Sequence, residues 1–146
     1  MTAMDRALEE AAAAAARGEI PVGAVIVGPD GTILAQTGNQ TEATSDPTAH
    51  AEILAIRAAA HIIGSPRLIG CDLYVTLEPC PMCAQAISFA RIRKLVFGAY
   101  DPKGGGVDHG ARIFAAPSCH HTPEIIGGVR ESESAALLRE FFAARR

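Results

Sequence analysis

Tryptophan is absent and aromatic residues are only 5% of the chain, which argues against an aromatic platform for stacking single-stranded nucleic acid. An excess of positive charge is also missing. Lys plus Arg is 13 against 16 for Asp plus Glu, a net charge of −3, so nucleic acid is not held by charge alone, although a local basic patch stays open. No apolar run approaches the roughly 18 residues of a membrane span; outside the alanine run 11–16 the longest covers residues 22–28. Asp5, Glu9 and Glu10 precede that alanine run, where a secretory signal would begin basic. Cysteine is sparse: Cys71, Cys80, Cys83 and Cys119. Without an export signal two disulfides are not expected, cytoplasm is the default compartment, and a Cys-x-x-Cys pair reads as metal or redox chemistry. Composition excludes collagen and disorder.

What remains is ordinary globular sequence. The 146 residues (15.2 kDa) suit one core, so residues 1–146 are expected to form a single domain. The 49% apolar content includes 28 alanines, so large apolar side chains are fewer than that figure suggests.

Residues 4–17 are alanine-rich and predict a helix stopped by Gly18. Residues 22–27 and 32–36, joined by Gly28-Pro29-Asp30-Gly31, predict a hairpin. Asp46-Pro47 reads as an N-cap followed by proline at the first helical position, opening a helix that runs to Ile63 before Gly64. Residues 71–77 predict a third strand, 81–92 a helix opened by Pro81, and 94–98 a fourth strand. A three-glycine loop follows, then a short helix at 110–115, a fifth strand at 124–128, and a closing helix at 132–145 with Ser132 as N-cap. This alternation predicts an α/β fold on a five-stranded mixed sheet.

Two short motifs carry chemistry. His50-Ala51-Glu52 starts one helix, and Pro79-Cys80-Pro81-Met82-Cys83 starts the next. Pro81 at a first helical position makes Cys80 the N-cap and places Cys83 one turn on. The positive end of a helix favours thiolates there. Two thiolates and an imidazole suit Zn²⁺ with one position open for water, whose pKa zinc lowers to about 7. Glu52 is then placed to move protons between water and substrate. Residues two apart in a regular helix point to opposite sides, so His50 and Glu52 converge only if the helix start permits it.

Together the motifs form the H-x-E … P-C-x-x-C signature of zinc-dependent nucleobase deaminases. The chain resembles the bacterial tRNA-specific adenosine deaminases of that superfamily. The resemblance rests on Ile20-Pro21-Val22-Gly23-Ala24-Val25, Asp46-Pro47-Thr48-Ala49-His50-Ala51-Glu52, Leu73-Tyr74-Val75-Thr76-Leu77-Glu78-Pro79-Cys80, Phe97-Gly98-Ala99, Asp101-Pro102-Lys103-Gly104-Gly105, and Leu137-Leu138 with Phe141-Phe142. It implies a three-layer α/β/α cytidine-deaminase-like fold and a homodimer with active sites near the interface. It implies one zinc held by His50, Cys80 and Cys83, with Glu52 as proton shuttle. It implies a tRNA anticodon stem-loop as partner, converted from adenosine to inosine at the wobble position. It carries Asn39 over as a base contact, Asp101 and Lys103 as rim residues, and the backbone amides of Ala51 and Cys80 as facing the base and water.

Plainer readings stand beside these. The metal site closes as a structural one if Cys71, His61 or His121 supplies a fourth ligand, but such a site has no use for Glu52. Asn39 serves equally as a turn residue, Asp101 as a loop cap and Lys103 as a solvated lysine. Arg91, Arg93 and Lys94 form a dense basic run that also fits a solvated strand entry, and Met82 fits either the core or a dimer seam. The Glu-Pro-Cys and Asp-Pro-x-x-His-x-Glu stretches are shared with guanine deaminases, which keeps free-base deamination as an alternative. A zinc-stabilised RNA-binding module without catalysis is a further one. The resemblance implies charge gained from a basic C-terminal extension; here the sequence closes on Arg145-Arg146 with an acidic total, and Lys103, Arg139, Arg145 and Arg146 are the candidate phosphate contacts.

Overall fold

Thr2 opens the first helix with a reciprocal cap. In the computed structural model, which describes residues 1–145, its hydroxyl accepts from the Asp5 N–H at 3.1 Å while the Asp5 carboxylate accepts from the Thr2 N–H at 2.8 Å. Helix α1 (Ala3–Ala16) leads into β1 (Gly23–Val27) and β2 (Ile33–Gly38), then α2 (Ala51–Ile63), β3 (Asp72–Leu77), α3 (Pro81–Phe89) and β4 (Lys94–Ala99). A single 3-10 turn (Ile113–Ala115), β5 (Glu124–Ile126) and α4 (Glu131–Ala143) complete the chain. The sheet order is β2-β1-β3-β4-β5. β1 pairs antiparallel with β2 and β3, whereas β3–β4 and β4–β5 are parallel. The sheet is therefore mixed and five-stranded, as expected.

Strand periodicity sorts the core into two layers. Ala24, Ile26, Leu73, Val75, Leu95 and Phe97 face α2 and α3, meeting Ala51, Ala55, Ala59, Ala84 and Ile87. Val25 and Val96 face the other way, onto Met4, Ala7 and Leu8 of α1, with Leu137 of α4 packed alongside. The buried alanines let the helices lie close to the sheet. The large residues concentrated on β3 and β4 contribute most per side chain, about 1.5–3 kcal/mol each when fully buried. Among the described residues no helix is long and apolar enough to cross a membrane.

Several boundaries differ from the sequence reading, each for a local reason. Asp46 does not cap α2. Its carboxylate accepts from the Thr48 N–H and hydroxyl, which closes a turn, and α2 starts four residues later with His50 in the N-cap position. α3 stops at Phe89, not Ile92, because Arg91 takes a positive φ of 60°. The helix expected at 110–115 shrinks to the 3-10 turn, and β5 ends at Ile126. Ser132 is not an N-cap; that position is Arg130, whose guanidinium binds Asp5 and Glu133 and so ties α4 to the start of α1. Met82 is exposed and not core, Phe141 is buried and Phe142 exposed. Arg146 lies outside the described residues.

Candidate active site

Two helix starts and the carboxyl ends of β3 and β4 converge on one crevice, the usual place for ligands in α/β sheets. β3 delivers Glu78-Pro79-Cys80 directly into α3. Cys80 is the N-cap with extended backbone (φ −71°, ψ 171°) and Pro81 sits at the first helical position, as the sequence predicts. His50 has the same extended conformation (φ −70°, ψ 152°) at the start of α2. Neither side chain caps its own helix, so both are free to turn toward each other. His50 Nδ1 lies 3.6 Å from Cys80 Sγ and 3.5 Å from Cys83 Sγ. Tetrahedral zinc with ordinary Zn–S and Zn–N bonds separates its sulfur and nitrogen ligands by about 3.6 Å. The donor set and its spacing therefore fit zinc. Among the described residues these three are the one group of His, Cys, Asp or Glu side chains close enough to hold a metal ion. Cys71 is buried away from it, and His121 is engaged with the Ile92 carbonyl at 2.6 Å. The structural-site alternative thus lacks those two as a fourth ligand.

The cluster's charges are mutually arranged. The Cys83 side chain and the His50 ring facing Cys80 hold its thiol down to about 4, and the same contact with Cys80 raises His50. Cys83 is pushed up, first by the neighbouring Cys80 sulfur and then by burial. Glu52 is 4% exposed, and burial pushes its carboxyl up to about 7. That value is poised for taking and giving protons near neutral pH.

A cavity of about 250 Å³ opens in front of these groups, lined by Asn39, His50, Ala51, Glu52, Cys80 and Asp101 among others. Its volume suits a single base and not a duplex. Asn39 is held through its backbone: its N–H donates to the Val22 carbonyl, and its own carbonyl accepts from Arg17. Its side-chain oxygen is buried without any hydrogen-bond partner. A turn role would have satisfied that oxygen, and buried polar groups rarely stay unpaired. Asp101 lines the cavity and also accepts from the Gly104 N–H at 3.0 Å, so it closes its own loop. Lys103 is exposed. It borders a neighbouring depression of about 550 Å³ with Ile20, Tyr100, Leu138 and Phe142, outside the cavity itself.

Two buried carboxylates escaped the sequence reading. Glu78 is 1% exposed and accepts from the backbone N–H groups of Asp101, Val107, Asp108 and His109 and from His109 Nδ1. Burial raises its pKa, but these donors outweigh that and leave it lowered. Glu19, also 1% exposed, gathers the N–H groups of Glu42 and Ala43 and so holds the loop that leads from Asn39 toward His50. The available signal was Glu78's place against Pro79-Cys80. The basic run, by contrast, is a strand entry: Arg93 forms a two-pronged pair with Asp72, and Lys94 lies 3.8 Å from the same carboxylate. Arg145 donates to the Phe141 carbonyl and stacks over the Phe141 ring at 3.5 Å.

Comparison with known proteins agrees with this geometry. Residues 1–99 match the family model for the cytidine and deoxycytidylate deaminase zinc-binding region. A tRNA-specific adenosine deaminase of Agrobacterium fabrum strain C58 is 57% identical over 143 residues, covering 98% of this chain and 93% of the relative. A solved structure from work on A-to-I editing by tRNA:A34 deaminases at the wobble position superposes with a TM-score of 0.91 at 57% identity, covering 93% of this chain and 98% of that one. A guanine deaminase from Bacillus subtilis is more distant, with 34% identity, 98% and 91% coverage, and a TM-score of 0.67. With the buried glutamate, the His/Cys/Cys cluster and the base-sized cavity already in place, this full-length likeness identifies the chain as a member of the tRNA-specific adenosine deaminase family, zinc-dependent hydrolytic enzymes built on the cytidine and deoxycytidylate deaminase fold.

Proposed function

We propose that this chain, acting as a single domain, deaminates adenosine to inosine at the wobble position of a tRNA anticodon. His50, Cys80 and Cys83 hold one zinc per chain, and Glu52 is the proton shuttle. The observation that carries the reading is the cavity pairing: a buried Glu52 carboxyl and an unpartnered Asn39 amide line one base-sized space beside the ligand cluster. When bound, zinc activates water at neutral pH and acts as a Lewis acid at the site.

Glu52 takes a proton from water as the water oxygen bonds to C6 of adenine, and passes that proton to N1. The proton of the new C6 hydroxyl then passes through the carboxylate to the 6-amino group, the C6–N bond breaks as the C6 carbonyl forms, and ammonia leaves. Asn39 offers an amide that both donates and accepts to the base edge. The Ala51 and Cys80 amides, at helix starts that carry unpaired N–H groups, orient base and water. Asp101 shapes the mouth and Lys103 meets the backbone of the strand. An anticodon-loop base is already single-stranded, so extruding it costs little. This suits a chain with a −3 net charge.

The chain works as a cytoplasmic homodimer. Met82, beside the ligand Cys83 on α3, is exposed, as is Phe89 on the same helix; a second copy seated there lies against the active site. Incubation of pure protein with a wobble-adenosine stem-loop, with inosine mapped afterwards, tests the substrate. Brisk ammonia release from guanine, with the stem-loop left intact, would hand the reading to free-base deamination.

A further inference from the structure

We infer that Glu78 is a positioning residue that locks the 101–109 loop, and with it the outer wall of the active-site cavity, to the strand that carries the metal ligand Cys80. Its side chain is fully enclosed. One oxygen accepts from the Asp101 N–H at 3.0 Å and from His109 Nδ1 at 2.8 Å. The other accepts from the N–H groups of Val107, Asp108 and His109 at 3.2, 3.0 and 3.1 Å. Four of the five partners are backbone N–H groups, which can only donate, and they reach both oxygens, so an acceptor at both oxygens suits the cradle, and an ionised carboxylate is that group.

The loop has little else to fix it. Between β4 and the 3-10 turn it contains no regular secondary structure, and Val107 is its one large buried apolar side chain. Its other ties outside itself are few: the Gly106 N–H donates to the Pro79 carbonyl at 2.8 Å, and the Gly106 carbonyl accepts from the Ile113 N–H at 2.8 Å. The glycines record how close the approach is. A Cβ on Gly105 would collide with the Glu78 carboxylate, and one on Gly106 would lie 2.5 Å from the Pro81 nitrogen. At its near end the loop presents Asp101 and Gly104 to the cavity and Lys103 to the rim. One buried anion therefore sets the distance between the substrate-facing wall and the Cys80 end of the ligand cluster. Glu78 lines the cavity, but its carboxylate is fully enclosed and spent on the loop donors, so it acts on substrate fit and not on the proton transfers.

The test uses Glu78→Gln in the zinc-loaded protein, with an anticodon stem-loop as substrate and hydrogen exchange read along the backbone. Glutamine keeps the size but places an NH₂ against the donors. The lost charge-assisted bonds predict KM raised by about 10-fold or more, with kcat within about threefold of wild type. Zinc content should stay at the wild-type level. Amide exchange should quicken by about 10-fold or more across 101–109 and stay unchanged in α2 and α3. A variant with wild-type KM and wild-type exchange overturns the inference. So does loss of kcat or of zinc at unchanged KM, which would make Glu78 a prop of the metal centre. Should Glu78→Gln fail to fold, His109→Ala decides: it removes one donor from a half-buried position, and must show the same KM rise and loop exchange at smaller size, or the inference falls. The kinetic arm rests on the deaminase reading. If the wild type leaves the stem-loop untouched, that reading fails by itself while loop exchange still judges Glu78.

Discussion

Helix α2 begins between His50 and Glu52. His50 is outside it, with extended backbone in the N-cap position, and Glu52 is its second residue. The opposed directions expected of residues two apart in a helix therefore never arise. His50 turns its Nδ1 to the two sulfurs while Glu52 enters the same cavity from the first turn. The late helix start that contradicts the Asp46-Pro47 cap is what makes the motif work.

Loading zinc into metal-free protein should release more than one proton per site near pH 7. The sign follows from each group. Cys80, held down to about 4, is already a thiolate. Cys83, pushed up, is a thiol that must lose its proton, and His50, raised by Cys80, carries a proton more often than a free imidazole and gives up that share too. Ligands bind deprotonated, so zinc affinity should climb with pH with a slope between about 1 and 2 in logarithmic units. Calorimetry in buffers of different ionisation enthalpy counts the protons. Affinity independent of pH would contradict the assigned ligand set, as would full zinc content in Cys83→Ala.

Glu52→Ala should keep its zinc and lose turnover. One carboxylate serves several transfers, so the rate should fall by at least the 10²–10⁴-fold typical of a general acid–base group, roughly its upper end. Because Glu52 is buried and its charged form is disfavoured there, the variant should melt no lower than wild type. Single-turnover kinetics with metal analysis on the same sample checks both; more than about a tenth of the wild-type rate would show that another group moves the protons.

Asn39→Ala separates a base contact from a turn residue. The side-chain oxygen has no protein partner, so its removal leaves no orphan, and stability should hold within about 0.5 kcal/mol. The lost hydrogen bond to the base should lower kcat/KM by about 10-fold or more. Thermal melting beside stem-loop kinetics makes the comparison. A large fall in melting temperature at wild-type kcat/KM would return Asn39 to the turn.

The parts read directly from sequence are those in which one residue type does one local job. Proline after Cys80 fixes the start of α3, glycine at 64 takes the left-handed position that ends α2, and period-2 apolar strands set both faces of the sheet. What escaped depends on which partner a side chain finds, whether near or far along the chain. Thr48 takes the Asp46 carboxylate and removes it from the helix cap. Asp5, across the chain, holds Arg130 and displaces Ser132 from the cap of α4. Glu78 and Glu19 look like surface glutamates until loops from elsewhere bring N–H groups to them. A buried carboxylate bound by backbone donors has no sequence period, because its partners are donors that every residue except proline carries.

A chain of net charge −3 would hold RNA through local cations and not through its overall field. Among the candidate cations, the structure treats Lys103 and Arg145 differently. Arg145 sits just past the end of α4. Its guanidinium donates to the Phe141 carbonyl and covers the Phe141 ring, so its charge already meets the negative end of the helix. Lys103 is exposed on the loop at the cavity rim and borders the depression that adjoins the active site. Each phosphate neutralised on a single strand adds about 0.7 to the log–log salt slope of binding. Lys103→Ala should therefore weaken stem-loop binding and flatten that slope by about 0.7, leaving zinc content and melting temperature alone. Arg145→Ala should do the reverse, lowering the melting temperature by about 2–4 °C at an unchanged slope. Titrating both variants across salt concentrations, with melting curves on the same preparations, sets the two roles apart. A flattened slope for Arg145→Ala and none for Lys103→Ala would move the phosphate track from the loop to the end of α4.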